Sequence, residues 1–212
     1  TAAHHSDRPY PMFMNVPGLK IMVPASPTDA KGLLRTAIDM DDPVLSFEAC
    51  LLWGMKEDIE DGEFRIPFGV ARTVRQGTDV TIVAISSAVP QAVLAAQILE
   101  TEGISAEIID PRTLVPLDSL AILNSVARTG RLVIADPANR TCGAAAEISA
   151  IVSELAFDCL RAPIIRVTTP DTHIPFSPAI EKQLYPDSIK IAEAVRKVTS
   201  ARIGAGAPAR MN

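Results

Sequence analysis

Between residues 80 and 199 the chain alternates short apolar runs with longer stretches of helical periodicity, four times over. The runs are 80–85, 106–110, 132–135 and 164–167, and the periodic stretches are 88–101, 118–129, 143–160 and 187–199. Runs of this length are too short for an ordinary helix and read as strands. Gly103 and Gly130 stand where the first two helices must stop, because glycine enters left-handed backbone without a steric penalty. Asp187 is placed to accept the first free N–H of the last helix. Strands that are apolar along their length are covered on both faces, and parallel neighbours need a helical crossover between them. The order therefore predicts an α/β fold, a mostly parallel sheet with helices on both faces.

A smaller block precedes it. Residues 19–23 form an apolar run ended by Pro24. Ser26-Pro27-Thr28-Asp29 then combines a serine N-cap, a proline in the first turn and an acidic residue three positions after the cap, which together mark a helix start. Ala30, Leu33, Leu34, Ala37 and Ile38 continue it as a one-sided stripe, and 44–47 is a second strand. Strand, helix, strand reads as a βαβ unit. The blocks are expected at 1–55 and 70–200, joined by an exposed acidic linker over 56–69 and followed by a disordered tail over 201–212.

The formal net charge of −5 argues against nucleic acid or an anionic membrane as the main partner. No apolar run approaches the ~18 residues of a membrane-spanning helix. No signal peptide is recognisable, so the expected location is the cytoplasm. Cys50, Cys142 and Cys159 are too widely spaced for a zinc pattern and read as buried free thiols of a reducing compartment.

In open α/β sheets ligands bind beyond the carboxyl ends of the strands. Those positions hold Ser86-Ser87, Asp110-Pro111-Arg112-Thr113, Asp136-Pro137-Ala138-Asn139-Arg140 and Thr168-Thr169-Pro170-Asp171. None is a glycine-rich phosphate loop, and no nucleophile elbow is present. Asp110 and Arg112 are expected to form an ion pair that fixes their loop, and His173 to lie on a surface loop. The remaining histidines, His4 and His5, precede all the regular structure. A proton-handling group, a solvated loop histidine and a tag remnant are all open on residue type alone.

The motifs reduce these alternatives. His5-Ser6, Val16-Pro17-Gly18-Leu19-Lys20-Ile21-Met22-Val23-Pro24, Asp29-Ala30-Lys31-Gly32-Leu33-Leu34 and Asp41-Asp42-Pro43-Val44 occur in order. They are followed by Gly77-Thr78-Asp79-Val80, Ile109-Asp110-Pro111-Arg112-Thr113-Leu114-Val115-Pro116-Leu117-Asp118, Ala145-Ala146-Glu147-Ile148 and Arg166-Val167-Thr168-Thr169-Pro170-Asp171. The series resembles the β-subunits of thiamine-diphosphate-dependent 2-oxoacid dehydrogenases, the decarboxylating components of pyruvate, branched-chain and acetoin dehydrogenase complexes. The resemblance implies the end of a pyrimidine-binding domain followed by a transketolase-type C-terminal domain.

By the same resemblance the histidine of a His-Ser-Gln motif falls on His5. There it would donate to the substrate carboxylate or oxyanion and assist acyl transfer to a lipoyl arm. Thiamine diphosphate and magnesium would be bound by the complete α/β enzyme, whose cofactor-activating glutamate lies upstream of the positions matched here. The implied partners are an α-subunit, a second β-subunit and a lipoyl acyltransferase core. A fragment of this extent is expected to be inactive alone.

Two departures stand out. Asp7 replaces the glutamine of the motif. Some members also bind a structural potassium ion, and Ala37 and Asp42 match two positions of that site. Met40 stands there in place of an aspartate ligand, and a thioether suits a hard cation poorly, which argues against the ion. The alternatives are half of a transketolase or deoxyxylulose-phosphate synthase, expected to show basic phosphate contacts of which only Arg112 and Arg140 qualify, and a non-catalytic assembly and docking module.

Overall fold

A computed structural model describes residues 3–59 and 61–201, with His4 described by its backbone alone. The expected disordered tail therefore lies outside the described residues from 202 onward. The chain opens with two short helices, α1 (Ala3–Ser6) and α2 (Tyr10–Met14). The expected βαβ unit follows as β1 (Lys20–Met22), α3 (Pro27–Ile38) and β2 (Val44–Ser46). β1 and β2 run parallel, with Lys20 opposite Val44 and Met22 opposite Ser46. The capping residues of α3 act as their types require. Ser26 Oγ accepts the Asp29 N–H at 3.1 Å, and the hydroxyl donates to the Asp29 carboxylate at 2.9 Å, a reciprocal arrangement that satisfies an otherwise orphaned helix donor.

The connector at 56–69 is not simply an exposed linker. Glu57 accepts both the backbone N–H and the hydroxyl of Thr28, at 3.0 and 2.7 Å, and so completes the cap of α3. Ile66 is buried against Met22 and Leu33. It lies so close to α3 that a Cβ on Gly32 would stand 2.6 Å from its Cγ1. Polar composition concealed this, because only one side of the segment is wetted.

The second block contains β3 (Arg72–Arg75), β4 (Val80–Ala84), α4 (Ala88–Glu100), β5 (Ala106–Asp110), β6 (Thr113–Val115), α5 (Ser119–Thr129), β7 (Leu132–Asn139), α6 (Ala144–Leu155), β8 (Ile165–Thr169), α7 (Pro178–Leu184) and α8 (Ser188–Ser200). Five of these strands form a sheet in the order β3-β5-β4-β7-β8. β3 is antiparallel to β5, while the remaining pairs are parallel. The strands alternate their buried side chains between two cores. Val80, Ile82, Ala84, Ile108 and Val133 face α4 and α8, whereas Val83, Ile85, Ile109 and Ile134 face α5 and α6. The expected helices therefore cover both faces. Gly103 and Gly130 take positive φ at the ends of α4 and α5, and Asp187 accepts the Lys190 N–H at the start of α8.

Several elements differ from the expected pattern. β3 and β6 were not legible, since Arg72-Thr73-Val74-Arg75 lacks an apolar run and Thr113-Leu114-Val115 follows β5 directly. β6 leaves the large sheet and pairs antiparallel with β1, so the two blocks share backbone. β7 runs on through Pro137, past the point where its pairing with β4 ends and its register with β8 shifts, which is where a strand tolerates a missing N–H. α6 ends at Leu155 because Ala156 leaves helical backbone at φ −142°, and residues to Cys159 form a separate 3-10 turn. The cysteines are free, but Cys50 and Cys142 are exposed rather than buried. Among the described residues no helix is long and apolar enough to cross a membrane.

Gly77 lies where the chain turns toward β4, and a Cβ there would stand 2.2 Å from the backbone of Ala106 and Glu107. Gly77→Ala is expected to lower the unfolding free energy by about 1–3 kcal/mol, the usual cost of forced overpacking, measured by urea unfolding followed by circular dichroism.

Candidate active site

The strand order sets the position of a crevice. From β4 the chain crosses to β5 on one side and then returns to β7 on the other. The helices that follow β4 and β7, α4 and α6, therefore pack on opposite faces of the sheet, as expected at the ligand site of open α/β sheets. A cavity of about 810 Å³ lies there. Ser87 and Gln91 at the start of α4 contribute one wall, Pro137 of β7 another, and Lys182 and Tyr185 of the α7 region a third. The fourth wall is the strip that carries His5, Ser6 and Arg8.

His5 is exposed within α1, and Ser6 beside it is buried. An imidazole held at the mouth of a cavity can donate or accept a proton near neutral pH and exchange it with solvent. The strip bends back on itself where Arg8 Nη1 donates to the carbonyls of Ser6 at 2.8 Å and Asp7 at 3.2 Å. The Arg8 guanidinium also stands over the Tyr185 ring, 5.6 Å from its centroid, a cation–π geometry.

Tyr10 anchors the far end. Its side chain is 1% exposed, its ring meets Phe47 edge-on at 5.8 Å, and its hydroxyl donates to Asp136 Oδ1. Asp136, also fully buried, accepts backbone N–H groups from Ala138 at 2.9 Å and Ala145 at 3.0 Å. Burial, reinforced by the adjacent Asp136 carboxylate, pushes the Tyr10 hydroxyl well above its ordinary value. Burial likewise raises Asp136, against the three hydrogen bonds it accepts.

A second polar cluster joins the blocks. The expected ion pair between Asp110 and Arg112 is not the arrangement found. Arg112 gives Asp110 its backbone N–H, at 2.9 Å, while its guanidinium turns to Asp29 of α3, at 3.5 Å. Arg72 bridges the two carboxylates, 3.4 Å from Asp29 and 3.8 Å from Asp110. The Arg112 carbonyl accepts the Val23 N–H at 2.9 Å, and Arg112 itself takes a left-handed φ of +58°. The loop is fixed as expected, but by a backbone bond and a partner from the other block. Burial first, and the neighbouring Asp29 charge second, raise Asp110 to about 7 in spite of both arginines.

His173 lies on an exposed loop, as expected, and lines a neighbouring cavity. There Asp171 holds Thr141 through its backbone N–H and hydroxyl, at 3.0 and 2.6 Å. The residues at the matched potassium positions each have a partner within the chain. Asp42 pairs with the Lys20 ammonium at 3.4 Å, and the Ala37 carbonyl accepts the Met40 N–H at 3.3 Å. Among the described residues no group of three or more His, Cys, Asp or Glu could hold a metal ion.

The sequence pointed to His5 but not to Arg8, Gln91 and Tyr185, which line the same cavity, nor to the buried pair of Tyr10 and Asp136.

The chain is similar to known proteins over most of its length. The pattern described as "Transketolase, C-terminal domain" matches residues 69–191, and that described as "Transketolase, pyrimidine binding domain" matches residues 1–49. The chain is 46% identical over 190 residues to the acetoin:2,6-dichlorophenolindophenol oxidoreductase subunit beta of Bacillus subtilis, covering 90% of this chain and 56% of that protein. It is 41% identical over 200 residues to the pyruvate dehydrogenase E1 component subunit beta of Acholeplasma laidlawii, covering 94% and 61%. The mitochondrial 2-oxoisovalerate dehydrogenase subunit beta of Dictyostelium discoideum is 41% identical over 196 residues, covering 92% and 52%. The chain thus spans between half and two thirds of the length of these relatives. Among solved structures, a split-gene transketolase described as an inactive beta4 tetramer superposes with a TM-score of 0.75 at 25% identity, covering 91% of this chain and 61% of that one.

The raised Asp110 has a definite thermodynamic sign. Between its ordinary value of 3.8 and about 7 the folded protein holds a proton that the unfolded chain releases. Its contribution to stability is therefore complete below that window and is lost as pH rises through it. Urea unfolding across pH 4–8 is expected to show the native protein losing stability relative to Asp110→Asn as pH rises; a difference between the two proteins that does not change with pH would contradict the assignment.

Proposed function

This chain belongs to the transketolase family, and we propose that within it the protein corresponds to the C-terminal part of the β-subunit of a thiamine-diphosphate-dependent 2-oxoacid dehydrogenase. Residues 1–55 would supply the end of the pyrimidine-binding domain, 56–69 the connector and 70–200 the C-terminal domain. The complete enzyme would decarboxylate a 2-oxoacid oxidatively and pass the acyl group to a lipoyl-lysine. The observation that carries this reading is the placement of His5, the histidine matched by the motif, on the wall of the cavity at the crevice between β4 and β7.

Thiamine diphosphate, when bound, supplies the electron sink that decarboxylation of a 2-oxoacid requires. The described residues provide neither a glycine-rich diphosphate cradle nor an acidic metal cluster. By the resemblance, diphosphate and magnesium would be held by an α-subunit. The contribution of this chain is then one wall of the site and one proton carrier. His5 would direct an N–H at the substrate carboxylate or at the oxygen that gains charge when the carbonyl is attacked. As a general acid–base group it would take the proton back when the acyl group leaves. The cavity is open on the side of His5 and Lys182, both exposed, which suits entry of a long flexible arm such as lipoyl-lysine. A second β-subunit and an acyltransferase core complete the proposed assembly, located in the cytoplasm.

The sugar-phosphate alternative needs basic contacts at the strand ends. Arg112 is turned instead into the ion cluster between the blocks, and Arg140 donates to the Arg166 carbonyl. The dehydrogenase reading fits these residues better.

In the assembled α/β enzyme, His5→Ala is expected to lower 2-oxoacid turnover by about 10²–10⁴-fold, the usual worth of a general acid–base group. Subunit assembly, followed by size-exclusion chromatography, should be unchanged. Full turnover with intact assembly would show an assembly module instead. The 212-residue chain alone is expected to decarboxylate neither pyruvate nor 3-methyl-2-oxobutanoate.

A further inference from the structure

We propose that Tyr10 and Asp136 are positioning residues for His5, and that their hydrogen bond sets where the imidazole stands in the cavity. The inference rests on the role of His5 given above. α1 and α2 are single-turn helices, too short to be stable by themselves, and neither they nor the residues between them pair with a strand. Side chains therefore help to hold the strip. Arg8 over Tyr185 is one hold, at a partly exposed position. Tyr10 on Asp136 is another, and both of its partners are buried.

Asp136 is suited to this work because it is held from several directions. Oδ1 accepts the Tyr10 hydroxyl and the Ala138 N–H, and Oδ2 accepts the Ala145 N–H. Those backbone bonds close the loop that contains Pro137, which lines the same cavity as His5. One carboxylate thus ties the strip that bears His5 to another wall of the same cavity. Packing alone does not call for this pair. Tyr10 sits with Phe47 and Phe13 in an aromatic group that a phenylalanine would fill as well. Burying a hydroxyl and a carboxylate together is costly in desolvation, and what such a pair adds is a single permitted geometry. Geometry matters steeply at a reacting centre, where a displacement of about 1 Å costs on the order of 10²-fold in rate.

Tyr10→Phe in the assembled α/β enzyme keeps the ring and removes only the hydroxyl. The expected result is a kcat lowered about 10- to 100-fold with KM for the 2-oxoacid little changed, together with a lower melting temperature because buried Asp136 loses a donor. In a His5→Ala background the same substitution should have no further effect, since there is no imidazole left to misplace. Asp136→Asn should reproduce the kcat loss; should it fail to fold, Tyr10→Phe decides alone. The proposal is overturned if Tyr10→Phe leaves kcat within twofold, or if its effect is equally large with and without His5. If instead the unmutated enzyme turns over no 2-oxoacid, or His5→Ala is silent, the functional reading itself falls and this inference with it.

Discussion

The short turn that hands the chain from β5 to β6 is the constraint on which the rest of the structure depends. Within it the backbone leaves the five-stranded sheet and joins the three-stranded one, so the second block supplies a strand to the first. The Val23 N–H on the Arg112 carbonyl continues that seam, and the cluster of Asp29, Arg72, Asp110 and Arg112 closes it. Buried ion clusters of this kind add little net stability, because desolvation offsets most of the attraction. A misplaced partner would leave a buried charge unpaired, and that is heavily penalised. The cluster therefore acts on relative placement, and it is relative placement that brings the strip with His5 over the crevice of the other block.

How much of this was legible in the sequence follows from the range of each interaction. The apolar runs of β4, β5, β7 and β8, the Ser26 and Asp187 caps and the stops at Gly103 and Gly130 are local, and each could be read from a few neighbouring residues. β3 and β6 owe their conformation to strands elsewhere in the chain, so their own residues carried little signal. The same distinction separates the two halves of the Asp110 loop. That the loop was fixed could be read locally, but the partner of Arg112 lies on α3, in the other block.

The site shows the same division. His5 was legible as a residue type within a motif, whereas its surroundings were not. Arg8, Tyr10 and Tyr185 are joined only by folding, and Asp136 looked like one strand-end carboxylate among several. Its distinguishing property is total burial with both oxygens accepting hydrogen bonds, which no local pattern encodes. Motifs named the group that could carry a proton, and the tertiary structure supplied the means by which it is held.

Arg112 is subject to two demands that no single residue meets fully. Its left-handed backbone favours glycine or asparagine, and a residue with a longer side chain is strained there by roughly 1–3 kcal/mol. Its guanidinium is at the same time one of two cations facing a pair of buried carboxylates. Relieving the backbone would remove the charge, and keeping the charge retains the strain. Position 112 is therefore a poor target for stabilising substitution, even though its backbone angle alone would recommend it.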